Sequence, residues 1–475
     1  MLFNSYVFIV FFAIVYSGYL LLSRNAQAQN VVLLVAGYVF YSYWDWRFLG
    51  LLLISTVVDY TVANWLFREQ DPRARKWILA ISICLNLGFL GFFKYWNFFT
   101  DSTLRLCAAF GWHPDLVTLH IVLPAGISFY TFQSMNYTID IYRREMKPAR
   151  SLLDFALFVS FFPHLVAGPI MRASHLLPQV EAPRRITSSQ VHAGLFLILW
   201  GYFTKVVVAD NVAPIANQVF NNYRQFHGLD LVIGILAFAV QIYGDFSGYS
   251  NIARGLAKLM GFELMVNFNL PYFALSPSDF WQRWHISLST WLRDYLYIPL
   301  GGNRRGPVRT YVNLTLTMLL GGLWHGAAWH FVLWGGYHGF LLVAYRLLDR
   351  DPPNLHLWSA ERPRLYLLGK MGLMLALTMV GWVLFRASSL EQIGYMLTHA
   401  GVQLSDGSGT LDRAYNFLFF SAPLFLVEWW QYAKRDQLAP TKIRLNWRIP
   451  LYSAVFVWLC IFGVRASMEF IYFQF

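Results

Sequence analysis

Charged residues are scarce in this chain. Asp, Glu, Lys and Arg make up 13% of its 475 residues, whereas 57% are hydrophobic, and the mean hydropathy is +0.43. Ordinary soluble domains carry about 25% charged residues. This composition excludes a soluble globular enzyme and predicts an all-α polytopic membrane protein.

Cysteine is also scarce, and the usual catalytic and metal-binding patterns are missing. Cys84, Cys107 and Cys460 form neither a disulfide framework nor a metal-binding spacing. His325 and His330 are five residues apart, about 140° around a helix, and belong to no His-Glu-x-x-His cluster. The chain lacks a phosphate-binding loop, a dinucleotide fingerprint and a Gly-x-Ser-x-Gly elbow. We therefore expect no metal site.

The basic residues indicate topology. The net charge of +12 comes from 37 Lys and Arg against 25 Asp and Glu, and the positive charges lie in short connectors, not in a stripe or tail that would bind nucleic acid. Residues 67–76, 142–150, 303–309 and 434–448 are expected to face the cytoplasm, and the N-terminus and the tail 466–475 the outside. The first apolar run, residues 3–22, predicts a transmembrane helix and not a cleaved signal.

Apolar windows long enough to span a bilayer predict about 11–12 transmembrane helices plus re-entrant elements. The windows lie near residues 5–22, 30–44, 48–66, 77–95, 117–137, 191–208, 229–246, 311–323, 327–343, 366–386, 414–432 and 449–467. The segment 151–170, interrupted by prolines and glycines, predicts a bent or re-entrant element. Asp210 is placed in an outer loop and residues 251–270 at the cytoplasmic surface. One domain, residues 1–475, with a catalytic core of about 120–345, is the simplest interpretation.

The chemically unusual stretch runs from Asp279 to Gly339. It opens with an amphipathic pattern that predicts one helix over 281–295, with His285 at the edge of its aromatic face. His325 lies at the junction of two apolar segments, and an ionisable side chain at that depth is a hypothesis for a functional site. Trp324 would form an aromatic wall beside His325, and Gly326 would leave room for close approach of a substrate.

These residues favour general acid–base catalysis by one or two buried imidazoles. The alternative is that His325 only packs against its neighbours. Two other polar residues are ambiguous on the same grounds. Asp245 would bind substrate or pair with a buried cation such as Lys205. His164 would line a tunnel or bond backbone carbonyls freed by Pro163.

Several motifs resemble one family, the membrane-bound O-acyltransferases. They are RWHISLST (283–290), LGGN (300–303), GGLWHGA (321–327), LPAGISFYTF (123–132), PHLVAGP (163–169) and DFSGYS (245–250). The likeness is closest to the branch containing the membrane subunit of alginate O-acetylation, with cellulose acetylation subunits and the teichoic acid D-alanyl transfer protein as relatives. It covers the chain up to about residue 339, and the last 130 or so residues match only in hydropathy.

The resemblance implies a ring of helices around a thin core with two opposed funnels. It implies that His325 is the catalytic histidine and that His285 occupies a second position, where relatives carry His or Asn. The implied reaction moves an acetyl group from a cytoplasmic thioester, acetyl-CoA or an acylated carrier, across the bacterial inner membrane. A periplasmic or membrane-anchored acetyltransferase partner would then modify an exported polysaccharide such as alginate. No bound cofactor is expected.

Five further residues are expected to bind substrate: Trp324, Arg283, Trp284, Asp245 and His164. Arg283 and three other arginines, Arg293, Arg304 and Arg305, would attract the phosphates of coenzyme A, or simply mark the cytoplasmic side.

Three alternatives stay open. D-alanyl or other acyl transfer from a carrier protein is the nearest one. A transporter of a lipid-linked or acyl substrate would also place ionisable groups at mid-membrane, but the chain shows no internal repeat and concentrates its polar residues in one stretch. A non-catalytic scaffold would make His325 dispensable.

Overall fold

The computed structural model describes residues 1–114, 118–119, 121–166, 168–348, 356–359, 362–403, 409–464 and 470–471. These residues form helices and no named strand; an isolated bridge joins Gly228 and Ala400. Seven helices in this part of the chain are long and apolar enough to cross a membrane. The predicted all-α polytopic class is confirmed, whereas the number of crossings and the two funnels stay predictions.

Contacts divide the chain into two compact units. Unit 1 comprises Met1–Gly194 and Leu256–Met265, and unit 2 comprises Leu195–Gly255 and Val266–Phe475. Each unit is described by itself below. The single domain with a core of about 120–345 stays a prediction.

The described residues of unit 1 contain nine complete helices and parts of two more. They are α1 (Tyr6–Leu21), α2 (Ala26–Ser42), α3 (Leu49–Arg68), α4 (Pro72–Leu90), α5 (Trp96–Ala109), α6 (Ile127–Tyr142), α7 (Leu152–Ser160), α8 (Phe162–Leu165) and α9 (Ala173–Glu181). Polar caps define several starts: the side chains of Ser5, Asn25 and Asp71 accept backbone N–H groups of α1, α2 and α4. A π-helical turn, Gly91–Tyr95, joins α4 to α5.

Two predictions in unit 1 have different outcomes. The span near 117–137 begins too early, because α6 starts only at Ile127, and residues 115–117 and 120 lie outside the described part. Gly126 precedes that start with a φ of 72°, and a Cβ there would lie 2.9 Å from the Leu165 carbonyl oxygen. The bent segment is confirmed: the apolar run after Ser151 breaks into α7 and α8 at Phe161.

The basic connectors of unit 1 lie at one end of it. Arg75, beside the α3–α4 connector, donates to the carbonyl of Tyr142 at 2.7 Å. Arg150, in the connector after α6, pairs with Glu181 at the end of α9 at 3.2 Å. This clustering is what the positive-inside rule expects of connectors that share one side of a membrane.

Unit 2 contains the remaining helices. They are α10 (Ser188–Tyr202), α11 (Asp210–Asn221), α12 (Leu229–Leu259), α13 (Pro277–Arg283), α14 (Ile286–Leu292), α15 (Gly306–His325), α16 (Trp329–Leu348), α17 (Arg364–Arg386), α18 (Leu390–His399), α19 (Thr410–Lys434) and α20 (Leu445–Phe462). The first residues of α10 and the last of α12 belong to unit 1.

Two placements in this region were wrong. Asp210 lies in no loop: α10 and α11 form one helical run through the π-helical segment Phe203–Ala209, and Asp210 is buried there. Residues 251–259 do not form a surface segment but the last turns of α12, where Arg254 is buried. In both places a charged side chain lowers the local hydropathy, although the helix continues.

Gly228 precedes α12, and its N–H donates to the carbonyl of His399 at 2.7 Å. Phe268 contacts Phe246, near the middle of the 31-residue α12, at 4.9 Å between ring centres. The carbonyl of Phe268 accepts from Gln437 at 2.7 Å.

Candidate active site

The hairpin of α15 and α16 places His325 at its closed end. Gly306, with a φ of 84°, begins α15, and Pro307 follows it in the first turn. The helix ends at His325, and α16 starts four residues later at Trp329. Glycines bring the helices together, because a Cβ on Gly322 would lie 2.2 Å from the Phe331 carbonyl oxygen. The predicted junction of two apolar segments is confirmed.

Aromatic rings enclose the His325 side chain, which is 3% exposed. Its ring centre lies 5.1 Å from those of Trp324 and Trp334 and 5.6 Å from that of Phe385. The predicted wall at Trp324 is therefore present. The predicted room at Gly326 is not, because a Cβ there would lie 2.0 Å from the ring of Phe331. Gly326 serves close packing of the hairpin and not substrate approach.

His285 occupies a break in the predicted helix over 281–295, which was wrong. Ser276 caps α13, and α13 ends at Arg283. The backbone of His285 adopts a left-handed conformation, φ 43° and ψ 53°, before α14 begins. Such a conformation is uncommon for residues other than glycine, although His, Asn and Asp tolerate it better than most. The break turns the imidazole toward the interior, where His285 is fully buried.

Asn267 holds this break in place. Its backbone carbonyl accepts from the N–H of Ile286 at 2.8 Å. Its Oδ1 accepts from Ser287 N at 3.2 Å and Ser287 Oγ at 2.9 Å, and lies 3.2 Å from His285 Nδ1. Its Nδ2 donates to Ser250 Oγ at 3.2 Å. Because Oδ1 is an acceptor, His285 Nδ1 carries the proton and its Nε2 carries the lone pair.

The structure brings the two predicted catalytic histidines together. The ring centres of His285 and His325 lie 6.3 Å apart, and Trp324 lies 6.0 Å from His285. Phe246, near the middle of α12, lies 4.7 Å from His285, which places the pair deep within unit 2.

Arg283 and Trp284 have structural partners. Arg283 donates to Asp279 at 2.6 Å, and its guanidinium lies 5.8 Å from the Tyr432 ring centre. Near it, burial and the charges of Arg435 and Arg283 lower the pKa of His356. Trp284 is 1% exposed and lies among aromatic rings, the nearest being those of Trp382 at 4.8 Å and Phe268 at 4.9 Å. Substrate binding by either residue stays a prediction.

Asp245 pairs with Lys205, as one of its two interpretations predicted. Lys205 Nζ lies 2.6 Å from Asp245 and 2.9 Å from Asp210, and all three side chains are at most 4% exposed. The N–H of Ile471 also donates to Asp245 at 2.6 Å. Lys205, Asp210 and Asp245 form a buried ionic network, and Asp245 directly precedes Phe246 in the sequence. Substrate binding by Asp245 stays a prediction.

His164 belongs to unit 1, whereas His285 and His325 belong to unit 2. It is 1% exposed, and its Nε2 lies 2.7 Å from Gln133 Nε2. Gln133 Nε2 also donates to the Phe158 carbonyl at 2.6 Å, and His164 itself interacts with the backbone of Phe158, in line with one of its two interpretations. A role in substrate binding stays a prediction.

An apolar cavity of about 500 Å³ opens elsewhere in unit 2, between α12, α17 and α19. Tyr272 lines it and also contacts Trp284, at 6.4 Å between ring centres. Its lining residues are Leu236, Ala239, Val240, Tyr272, Phe273, Leu368, Met371, Gly372, Leu375, Met379, Phe417, Phe425 and Trp429. The lining contains no histidine or carboxylate, and the candidate site stays the histidine pair.

Sequence reasoning missed Asn267 and Glu428. Asn267 lies between two apolar residues in a stretch assigned to the surface, and no motif pointed to it. Glu428 interrupts a predicted span, a signal that singles it out; it is 3% exposed and accepts from the hydroxyl of Tyr243 at 2.5 Å. Tyr243 in turn contacts Trp284, next to His285.

Comparisons with known proteins identify the family of this chain. Residues 38–353 match the model of MBOAT, the membrane-bound O-acyltransferase family. A probable alginate O-acetylase of Azotobacter vinelandii is 45% identical over 395 residues, 82% of this chain and 76% of that protein. A peptidoglycan O-acetyltransferase of Helicobacter pylori is 36% identical over 421 residues, 82% of this chain and 78% of that protein.

A more distant relative has a different named activity. A teichoic acid D-alanyltransferase of Bacillus subtilis is 26% identical over 238 residues, 47% of this chain and 59% of that protein. The family match covers well over half of the chain and includes both site histidines. The chain is therefore a multi-pass membrane protein and an O-acyltransferase, and it belongs to the membrane-bound O-acyltransferase family.

Proposed function

We propose that this protein moves an acetyl group from a cytoplasmic thioester donor, acetyl-CoA or an acylated carrier, toward an acceptor on the outer side of the bacterial inner membrane. A periplasmic or membrane-anchored acetyltransferase partner completes O-acetylation of an exported polysaccharide such as alginate. The observation that carries the proposal is the buried imidazole pair, 6.3 Å apart, deep in a membrane-embedded unit. The relatives named for O-acetylation, 45% and 36% identical, favour acetyl over D-alanyl.

In this reaction His325 acts as the general base. It accepts the proton of the acceptor hydroxyl as the hydroxyl oxygen attacks the thioester carbonyl carbon. The tetrahedral adduct then collapses, the carbon–sulfur bond breaks, and the thiolate recovers the proton from the imidazolium. An acyl-imidazole on His325 is the other route, in which the imidazole nitrogen attacks first and the hydroxyl attacks the acyl group second.

The tautomer of His285 favours one role for that residue. Since Nδ1 donates to Asn267, a neutral His285 accepts a hydrogen bond at Nε2 and does not donate one there. His285 therefore does not stabilise the oxyanion. It orients the bound substrate by accepting from a second donor group, because the attacking hydroxyl gives its single proton to His325. The neighbouring hydrogen bonds to Asn267 keep this orientation.

Acetyl transfer by the purified protein in nanodiscs tests the proposal. Wild type, His325→Ala and the control His330→Ala receive radiolabelled acetyl-CoA and a candidate partner acetyltransferase. His330 is a second histidine on the same hairpin and contacts Phe331. We expect label in the partner or polymer with wild type and His330→Ala, and a loss of at least about 100-fold with His325→Ala.

Three results would contradict the proposal. Full transfer by His325→Ala would remove the histidine from the chemistry. Uptake of label into sealed vesicles by every variant, without transfer, would support the transporter. Transfer only from a D-alanyl carrier protein would support the D-alanyl alternative.

A further inference from the structure

The apolar cavity between α12, α17 and α19 has the volume of a ligand pocket, about 500 Å³. Aliphatic and aromatic side chains line it. Among the described residues of this lining, Tyr272 carries a hydroxyl, and that hydroxyl already donates to the carbonyl of Ala239 at 2.6 Å. A ligand that fills this cavity must therefore be largely apolar.

The cavity is a groove along one face of α17. Leu368, Met371, Leu375 and Met379 recur at helical spacing and line it. From Leu368 to Met379 the helix rises about 16 Å, close to half of a hydrocarbon core about 30 Å thick. At the rim, Leu368 and Trp429 are 46% and 40% exposed, so the groove opens sideways toward the bilayer. Its length and opening suit one acyl chain of a lipid.

A basic side chain lies at one end of this groove. Arg364 precedes Leu368 by one turn of α17, on the same helix face. Its guanidinium lies 5.1 Å from the centre of the Trp358 ring, and Trp358 contacts the lining residue Trp429 at 6.0 Å. Arg364 is exposed. It therefore places a positive charge beside the mouth of the groove.

A second basic side chain lies at the same end. Phe273, which lines the groove, stacks on Tyr432 at 4.9 Å, and Tyr432 stacks on His356 at 4.0 Å. After burial, the charge of Arg435 is what most lowers the pKa of His356. Arg435 is exposed just after the end of α19. The groove is thus apolar along its length and positively charged at one end.

We propose that this groove binds an anionic phospholipid of the bilayer, with one acyl chain between α17 and α19 and the phosphate beside Arg364 and Arg435. A chain alone gains little by leaving the surrounding lipid, because the groove and the bilayer are equally apolar. The two arginines supply the preference, since basic residues at a membrane surface attract anionic lipids. Residues 434–448 are predicted to face the cytoplasm, where the leaflet surface is negatively charged. The site is independent of the proposed function.

Photocrosslinking in nanodiscs tests the site. The full-length protein is reconstituted in phosphatidylcholine with a trace of a probe lipid, either phosphatidylglycerol or phosphatidylcholine, that carries a photoreactive diazirine in one acyl chain. Mass spectrometry maps the crosslinks to peptides of α17, α19 and α20. Every residue of α20 lies in the described part of the chain and none is buried, so its labelling measures ordinary contact with bulk lipid.

Two pairs of variants separate the chain from the head group. Gly372 lines the groove, and Gly369, three residues earlier on α17, is not among the described lining residues. A Cβ at either glycine would meet open space, so Gly372→Phe fills the groove and Gly369→Phe is its control. Arg364→Gln removes a cation at the mouth. Its control, Arg68→Gln, removes an exposed cation in a basic connector of unit 1.

The measured quantity is the excess labelling of α17 and α19 over α20. We expect the excess to be at least about fivefold larger for the phosphatidylglycerol probe than for the phosphatidylcholine probe, and Arg364→Gln to lower it about fivefold, the effect of one basic residue. Gly372→Phe should abolish the excess, because its ring takes the place of the chain. Gly369→Phe and Arg68→Gln should keep the wild-type excess.

Three results would overturn the proposal. Equal labelling by the two probes would reduce the groove to ordinary contact with lipid. An excess that survives Gly372→Phe would place the chain elsewhere. Loss of the excess on addition of acetyl-CoA would show that an acyl donor occupies the groove. Should Gly372→Phe fail to fold, the exposed Arg364 supplies the test through Arg364→Gln.

Discussion

Asn267 orients His285 without standing next to it in the chain. It bonds the imidazole, the following serine and the α12 residue Ser250, and it is 1% exposed. An acid–base group works only when its nitrogen points at the reacting proton. Asn267 is thus a positioning residue for the proposed reaction.

Replacing Asn267 with alanine should lower kcat by about 10- to 100-fold, because a small misplacement of a reacting group costs that much. The pH profile of kcat should change as well, since His285 loses the bond that selects its tautomer. Steady-state kinetics between pH 5.5 and 8.5, roughly the range over which histidine titrates, measure both effects.

Asn269→Ala is the matched control for this prediction. Asn269 lies two residues away, is exposed, and its Oδ1 accepts from Gln437. It should keep wild-type kcat and pH profile. An unchanged pH profile in Asn267→Ala, with only a loss of thermal stability, would reduce Asn267 to a packing role.

Lys205 pairs with two buried acidic side chains at once, those of Asp210 and Asp245. Breaking a buried ion pair by removing one partner typically costs about 3–5 kcal/mol, because the remaining charge stays in a poorly solvated place. Lys205→Met should therefore lower Tm sharply, as followed by tryptophan fluorescence of the detergent-solubilised protein. Adding Asp245→Asn should recover part of the loss.

The control for this prediction is Lys258→Met. Lys258 pairs with Glu263, which is 44% exposed, and exposed pairs contribute at most about 1 kcal/mol. Its Tm should stay close to that of wild type. Equal Tm values for the two single variants would show that the buried network does not stabilise unit 2.

Sequence reasoning reached some of these residues and not others. His325 and Asp245 interrupt apolar runs, so their depth and their need for partners follow from hydropathy. Asn267 was not predicted as a site residue, because a neutral amide barely changes the hydropathy. Its hydrogen-bond partners are also 17 to 20 residues away along the chain. Long-range hydrogen bonds leave no periodic signal.

At the scale of elements, α15 and α16 pack through glycines that leave no space for a side chain. A Cβ on Gly335 would lie 2.3 Å from the Met318 carbonyl oxygen, whereas one on Gly336 would meet only Leu319 Cδ2 at 3.4 Å. Gly336 therefore has room for a larger side chain, whereas Gly335 does not. The position of His325, at the closed end of this hairpin, depends on the close packing of α15 against α16.

Gly335→Ala should push the two helices apart, destabilise the protein by about 1–3 kcal/mol as overpacking does, and reduce acetyl transfer by displacing His325. Gly336→Ala should leave both properties near wild type. Tm and transfer activity of the two variants measure the difference. Wild-type activity in Gly335→Ala would show that the hairpin adjusts without moving the site.

Elements were predictable where the signal is local. Long apolar runs gave most helices of both units to within a few residues, because a bilayer demands length and hydropathy together. The break at His285 was not predictable, because the amphipathic pattern runs through it and the tertiary bonds to Asn267 override the pattern. The same holds for Asp210, whose buried cation keeps it inside a helix.

For the whole molecule, sidedness stays a prediction. The contact between Gly228 and His399 lies at the start of α12, close to Arg224, whereas Phe268 contacts Phe246 near the middle of that helix. The positive-inside rule predicts that residues 303–309 and 434–448 face the cytoplasm, and the connector that holds Arg224 is predicted to face the outside.

Cysteine labelling tests this sidedness. In a background with Cys84, Cys107 and Cys460 replaced by alanine, Arg224→Cys and Arg304→Cys each introduce one thiol at an exposed connector position. A membrane-impermeant maleimide added to intact spheroplasts should label Arg224→Cys, and Arg304→Cys should react only after permeabilisation. Labelling of Arg304→Cys in intact spheroplasts, with Arg224→Cys protected, would show that the protein has the opposite orientation in the membrane. The donor would then reach His325 from the side assigned here to the acceptor.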